Sequence, residues 1–148
     1  MEEIHFEIAT DNELEWVAQL KSQVEREYIE PHFGWDEEKQ KAILSKEWAI
    51  VKPWLIVSGS EKIGTVSFQL GKQGVYLGSF YIVPQYQRLG IGSRVLTRIC
   101  ERLDREGQLC ELAFLKGNPV HSLYARFGFT CCKSTKYLVY MRRLPKKR

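Results

Sequence analysis

A chain of 148 residues is long enough for one domain that buries about two-thirds of its unfolded surface without staples. Hydrophobic residues make up 44% and charged residues 27%, which excludes a disordered chain and fits a soluble globular one. The formal charge of +4 mildly favours anionic partners but is too small to argue for nucleic acid.

The opening MEEIHFEIAT is acidic and lacks the apolar core of a signal peptide, while IHFEIA alternates as a strand does. Asp11 or Asn12 can cap the helix that follows, where Leu14, Val17, Leu20, Val24 and Tyr28 recur at helical spacing. PHFG breaks that helix, and Asp36 can cap a second one through Lys46. WLIVSGSEKIGTVSFQLGKQGVYLGSFYIV reads as three strands with turns at GSEK and GKQG. A long amphipathic helix from Gly92 to Glu106 carries Val95, Leu96, Ile99 and Leu103 on one face. LCELAFL is a short buried strand, and NPVHSLYARFG a helix with Asn118 as cap, Pro119 in first position and Gly128 as stop. KYLVYMRRL closes the chain as a strand, and PKKR is read as a frayed tail over 145–148. The order β-α-α-β-β-β-α-β-α-β is a mixed α/β layer fold in a single domain, 1–148, with no repeat or linker.

WLIV is broken by Ser58 and Gly59, so no apolar run reaches the length of a membrane span. Cys100, Cys110, Cys131 and Cys132 form no Cys-x-x-Cys pair and read as buried or strand-edge residues. A reduced, cytoplasmic protein without a membrane partner is expected. His5 and His121 lack neighbours of metal-site type, and no metal is expected.

The most informative stretch is QRLGIG, Gln87 to Gly92, between an apolar strand and the long helix. Free N–H groups at a helix start point outward, and the helix dipole adds partial positive charge, so such a turn can hold a phosphate. Gly90 and Gly92 lack a Cβ that would keep a ligand from the main chain, and Arg88 lies beside them as a cation. A plain strand-to-helix connection explains the same glycines. The pattern is neither a P-loop nor a dinucleotide fingerprint.

Gln87-Arg88-Leu89-Gly90-Ile91-Gly92 resembles the Gln/Arg-x-x-Gly-x-Gly/Ala signature of the GNAT family of N-acetyltransferases. FYIVPQYQ looks like that family's fourth strand. NPVHSLYARFGF is similar to its second motif: Asn118, then Tyr124, then Gly128-Phe129. The order of elements agrees over nearly the whole chain, although the first half matches only in layout. The resemblance implies a central mixed, mostly antiparallel sheet flanked by helices, with acetyl-coenzyme A as cosubstrate. It implies that Gln87, Arg88, Leu89, Gly90, Ile91, Gly92 and Ser93 hold the pyrophosphate. Ile82 and Val83 then match the main-chain positions that hold the thioester carbonyl. Tyr124 matches the tyrosine that protonates or hydrogen-bonds the sulfur, and Asn118 a contact to the pantetheine arm.

Many relatives carry a glutamate on the fourth strand, where this chain reads Ser79, Phe80 and Tyr81. Proton removal then falls to waters, to Glu30 or to His32, whose intrinsic pKa is suitable. YIEPHFGWDEE mixes aromatics and acids in a way that suits a cationic amine, with Tyr28, Glu30, His32, Trp35, Ser79 and Tyr81 as the acceptor pocket. Packing by Trp35 and capping by the acids explain the same stretch equally well. Arg94 and Arg98 can attract the coenzyme's 3′-phosphate, whereas Arg102 and Arg105 read as a solvated row paired with Glu101 and Glu106.

The leading expectation is direct acetyl transfer in a ternary complex to a primary amine, most simply a small cationic one. A protein lysine or N-terminus is an alternative acceptor. A second class is a catalytically weak acyl-coenzyme A sensor, and a nucleic-acid-binding domain is disfavoured by the absence of a basic stripe. A homodimer is compatible with the resemblance.

Overall fold

The computed structural model describes residues 3–147. In chain order they form β1 (Ile4–Ile8), α1 (Leu14–Phe33), α2 (Glu37–Ile50), β2 (Trp54–Ser58), β3 (Glu61–Leu70), β4 (Val75–Ile82), α3 (Ile91–Glu106), β5 (Cys110–Leu115), α4 (His121–Arg126), β6 (Thr130–Ser134) and β7 (Leu138–Arg143). The hydrogen-bonded strand order is β1-β2-β3-β4-β5-β7-β6, and only the β4–β5 pair is parallel. The chain divides into two compact units, and β4 contributes its second half to the first and its first half to the second.

The first unit holds residues 3–68 and 79–87. Val17, Leu44, Trp48, Leu55 and Val57 form a buried cluster in which the helical hairpin covers the β-ribbon. Trp48 Nε1 donates to Asp11 Oδ1 at 2.9 Å, so the indole is buried without losing its hydrogen bond. The start of α1 is fixed by neither Asp11 nor Asn12. The Glu13 carboxylate instead accepts from the Thr10 N–H at 2.8 Å, in a capping box with Thr10 as the N-cap of the short turn that leads into α1. Pro31 sits in the last turn of α1, which runs on through Phe33 and stops at Gly34. Asp36 does cap α2, accepting from the Lys39 N–H at 3.2 Å, and α2 continues past Lys46 to Ile50.

The second unit holds 69–78 and 88–147. Ile91, Val95, Leu96, Ile99 and Leu103 are buried along one stripe of α3, each contributing about 2 kcal/mol. β5 pairs with β7 over six residues, from Cys110↔Arg143 to Leu115↔Leu138, but with β4 only at Val75↔Cys110 and Tyr76↔Glu111. β6 is a strand that the alternation of TCCKS did not announce. All its residues are exposed, so it has no apolar face to read. Cys131 and Cys132 on it are therefore exposed rather than buried, while Cys100 and Cys110 are buried as expected. In the basic tail the Lys146 N–H donates to Asp104 Oδ1 at 2.8 Å, and Arg148 lies outside the described residues.

Candidate functional site

In the second unit the turn before α3 carries two left-handed residues, Arg88 (φ 65°) and Gly90 (φ 79°). For arginine this conformation costs about 1–2 kcal/mol. A Cβ at Gly90 would meet open space, so the backbone conformation and not crowding asks for glycine. Gly90 caps α3 without a side chain, and the first helical bond runs from the Arg94 N–H to Gly90 O at 3.0 Å. Among the described residues, the N–H groups of Arg88, Leu89, Gly90, Ile91, Gly92 and Ser93 have no acceptor within the protein. The left-handed step at Gly90 followed by the right-handed helix turns consecutive N–H groups toward one side, an anion-binding concavity backed by the α3 dipole. At Gly92 a Cβ would lie 3.6 Å from Leu123, an ordinary contact, so packing does not demand glycine there.

Around the turn, Leu89 is 56% exposed and Ile91 is buried in the core. Ser93 Oγ accepts from Arg126 Nη2 of α4 at 3.4 Å. Arg126 thus adds a second side-chain cation beside the turn. Sequence reasoning missed it because it lies 33 residues from Ser93 and belongs to neither half of the glycine motif.

Tyr124 of α4 is buried in the same unit, its ring centroid 6.2 Å from Phe114 and 5.7 Å from Phe129. Asn118 does not cap α4, which begins only at His121 after Val120. The reason is local: the Asn118 N–H donates to Leu115 O at 3.1 Å and its carbonyl accepts from the Val120 N–H at 2.9 Å, which closes a turn first. Gly128 stops the helix as expected, with φ 95°.

Gln87 belongs to the first unit and is engaged on both sides. Its N–H donates to Pro84 O at 3.1 Å and its side-chain Nε2 to Ile82 O at 2.9 Å. It fastens the end of β4 instead of facing outward. Further back, Ser79 has φ 45°, an irregularity in β4 locked by the buried Thr65 hydroxyl, which donates to Ser79 O at 2.7 Å. β3 passes so close that a Cβ at Gly64 would lie 2.4 Å from Tyr81 O. The Val83 N–H is bonded to Ile63 O at 2.9 Å. Main-chain groups alternate along a strand, so the Ile82 N–H points away from β3.

Tyr81 is 9% exposed, and its hydroxyl donates to Glu25 of α1. Burial pushes the phenol well above its usual pKa and the Glu25 charge adds to this, so the phenol is the donor of the pair. Burial also raises the Glu25 carboxyl, against the opposing pull of the Tyr81 hydrogen bond and of Lys21. Lys21 is itself buried, with Nζ 4.0 Å from Glu47 Oε1 of α2. The sequence reading passed over Glu25. A signal existed: residues 17, 21 and 25 lie on one helix face, and that face sets Lys21 and Glu25 beside Val17.

Of the other acceptor-side residues, Glu30 is exposed and ion-paired with Arg26 at 2.8 Å. His32 is exposed, its ring edge-on to Phe33 at 6.2 Å, and Tyr28 is partly buried. Trp35 is half-buried, donates to Glu37 Oε1 at 2.9 Å and lies under the Arg26 guanidinium at 5.7 Å. These contacts pack and cap the helical hairpin. A cleft of about 460 Å³ in the first unit is lined by Glu15, Lys21, Ser22, Trp35, Glu37 and Lys41 among others. Its charges are largely matched, Lys41 to Glu15 and Glu37 to Trp35 and Ser22.

Among the described residues no helix is long and apolar enough to cross a membrane, and no cluster of three or more His, Cys, Asp or Glu side chains could hold a metal ion. A model of the acetyltransferase (GNAT) family matches residues 17–129. Curated protein sequences give no match. The fold is similar to that of the PaiA N-acetyltransferase from Thermoplasma acidophilum in complex with coenzyme A, at 16% identity and a TM-score of 0.74, covering 96% of this chain and 99% of that one. It is similar to the ribosomal-protein-S18-alanine N-acetyltransferase from Escherichia coli, at 15% identity and a TM-score of 0.72, covering 99% and 96%. An acetyltransferase from Thermus thermophilus aligns at 17% identity with a TM-score of 0.75, covering 95% and 96%.

Proposed function

The chain belongs to the GNAT family of acetyltransferases, matched over residues 17–129, and on that premise we propose that it transfers an acetyl group from acetyl-coenzyme A to the primary amine of a small cationic acceptor. The observation that carries this is the run of six N–H groups, Arg88 to Ser93, without protein acceptors around a glycine that packing does not require. Those amides would take the pyrophosphate, with Arg88 and Arg126 as side-chain cations. Gln87 would hold the end of β4 in shape. Acetyl-coenzyme A supplies an acyl group activated as a thioester.

The Ile82 N–H would hold the thioester carbonyl, since the Val83 N–H is already bonded to Ile63. Tyr124 would donate from its hydroxyl to the departing sulfur. Asn118 would meet the pantetheine arm through a turn already closed by its own main chain. Direct transfer is supported by the cysteines, none of which lies on either motif. Four free thiols also suit a reducing cytoplasm. A cationic acceptor is supported by Glu25 and Glu47, which outnumber Lys21 in the charged cluster of the first unit.

The test is thermal unfolding with and without acetyl-coenzyme A. At a hundredfold excess over its dissociation constant the ligand should add about 2.7 kcal/mol, or several degrees, to wild type and to Tyr124→Phe. Gly90→Glu, which adds strain and an anion, should lose the shift. Tyr124→Phe should also lower amine-dependent turnover about 100-fold at unchanged affinity for acetyl-coenzyme A. An unmoved wild-type transition would sink the proposal.

A further inference from the structure

An acceptor amine arrives as an ammonium ion and cannot attack until it loses a proton. β4 itself offers no carboxylate, because Ser79, Phe80 and Tyr81 stand there. The acids elsewhere in the first unit are mostly committed. Glu30 is paired with Arg26, Asp36 caps α2, Glu37 accepts from Trp35 and Ser22, and Glu15 is held by Lys41. Glu25 differs from all of these. Its Oε1 takes the Tyr81 hydroxyl, and its Oε2 makes no hydrogen bond among the described residues. The residue is only partly buried, so solvent and ligand can reach it. The charged and titratable groups facing it are Lys21 from α1, Glu47 from α2 and Tyr81 from β4, and the two carboxylates leave the cluster net negative. The Tyr81 hydroxyl ties Glu25 to β4, one residue along the chain from Ile82.

We propose that Glu25 Oε2 accepts the proton of the acceptor's ammonium group, and that Tyr81 is the positioning residue that fixes the carboxylate through Oε1. One N–H bond of the ammonium breaks, its electron pair stays on nitrogen, and the proton ends on Glu25. The amine is then neutral and nucleophilic, and nothing is oxidised or reduced. Burial raises the Glu25 carboxyl and so makes it a stronger proton acceptor than a solvated glutamate. The assignment rests on the acetyltransferase reading and adds to it a base on α1.

The experiment follows coenzyme A release from acetyl-coenzyme A with 1,4-diaminobutane, n-butylamine, glycinamide and a lysine peptide across pH. Glu25→Gln should lower turnover about 100-fold near neutrality while binding acetyl-coenzyme A within about twofold of wild type. The deficit should shrink about tenfold for each unit of pH as free amine replaces the missing base. Tyr81→Phe should cost about tenfold, and Glu25→Asp, a milder change should Glu25→Gln not fold, should fall between. Independently of turnover, the Glu25 carboxyl should titrate above the other glutamates by carbon-13 NMR and move higher in Tyr81→Phe. Wild-type rates in Glu25→Gln, a deficit that does not change with pH, or a Glu25 signal titrating with the surface acids would each overturn the base assignment alone. Failure of wild type to bind acetyl-coenzyme A, or to release coenzyme A with any amine, would remove the transferase reading and the base with it.

Discussion

Arg143 in the second unit and Lys21 in the first are both cations almost shut off from water, 3% and 7% exposed, yet they are accommodated differently. The Arg143 guanidinium donates to Phe127 O at 2.6 Å and to both oxygens of Asp104 at 2.9 and 3.1 Å. Its planar fork matches that carboxylate, and each of its three nitrogens has a partner. Lys21 has a carboxylate oxygen only at 4.0 Å and shares its field between Glu47 and Glu25. A saturated pair holds a fold and has nothing left to offer a ligand. A loosely paired cluster stabilises less, but leaves charge available to a group that enters it.

The largest effect expected from this contrast is at Arg143. Arg143→Ala leaves Asp104 with only the Lys146 N–H and should cost about 3–4 kcal/mol, a fall of roughly 10 °C in Tm. Lys21→Met should cost only about 1 kcal/mol by denaturant titration and should drive the Glu25 carboxyl further up. Equal losses at the two positions would break the comparison. The turn before α3 extends it to charge carried by the main chain. Arg88→Gly should relieve about 1–2 kcal/mol of left-handed strain less about 0.5–1 of glycine entropy, a net gain near 0.5 kcal/mol, while weakening acetyl-coenzyme A binding a few-fold.

The smallest effects are in pH dependence, where the two clusters have opposite signs. Arg143 holds the Asp104 carboxyl below its usual range, so that contribution is present above the unfolded pKa and lost as pH falls through the lower folded value. Glu25 is raised, so its contribution is full below the unfolded pKa and lost as pH rises through the folded value. Urea unfolding from about pH 3 to 8 should therefore show Glu25→Gln more stable than wild type near neutrality and no different at the acid end. Asp104→Asn should lose most at neutral pH.

What could be read before the structure follows from where each group sits along the chain. The left-handed backbone of the turn was legible because Gly90 is the residue type that adopts it without strain. The α3 stripe was legible because Val95, Leu96, Ile99 and Leu103 recur at helical spacing, and Ile91 at the helix start joins it. The Tyr81–Glu25 pair was not, being joined across 56 positions by side chains whose types also suit a solvated helix. β6 escaped for the opposite reason, since it buries no residue and leaves no pattern. Asn118 misled because a residue that can cap a helix can equally close a turn.

The cysteines give the molecule a built-in clock. Cys131 and Cys132 are exposed on β6 and open to thiol reagents as the protein stands. Cys100 and Cys110 are sealed in the second unit, and burial pushes the Cys110 thiol up to about 12, so neither forms the reactive thiolate readily. Two sulfurs should label at once and two only when the α3–β5 core opens, so the slow phase times that opening without any engineered probe.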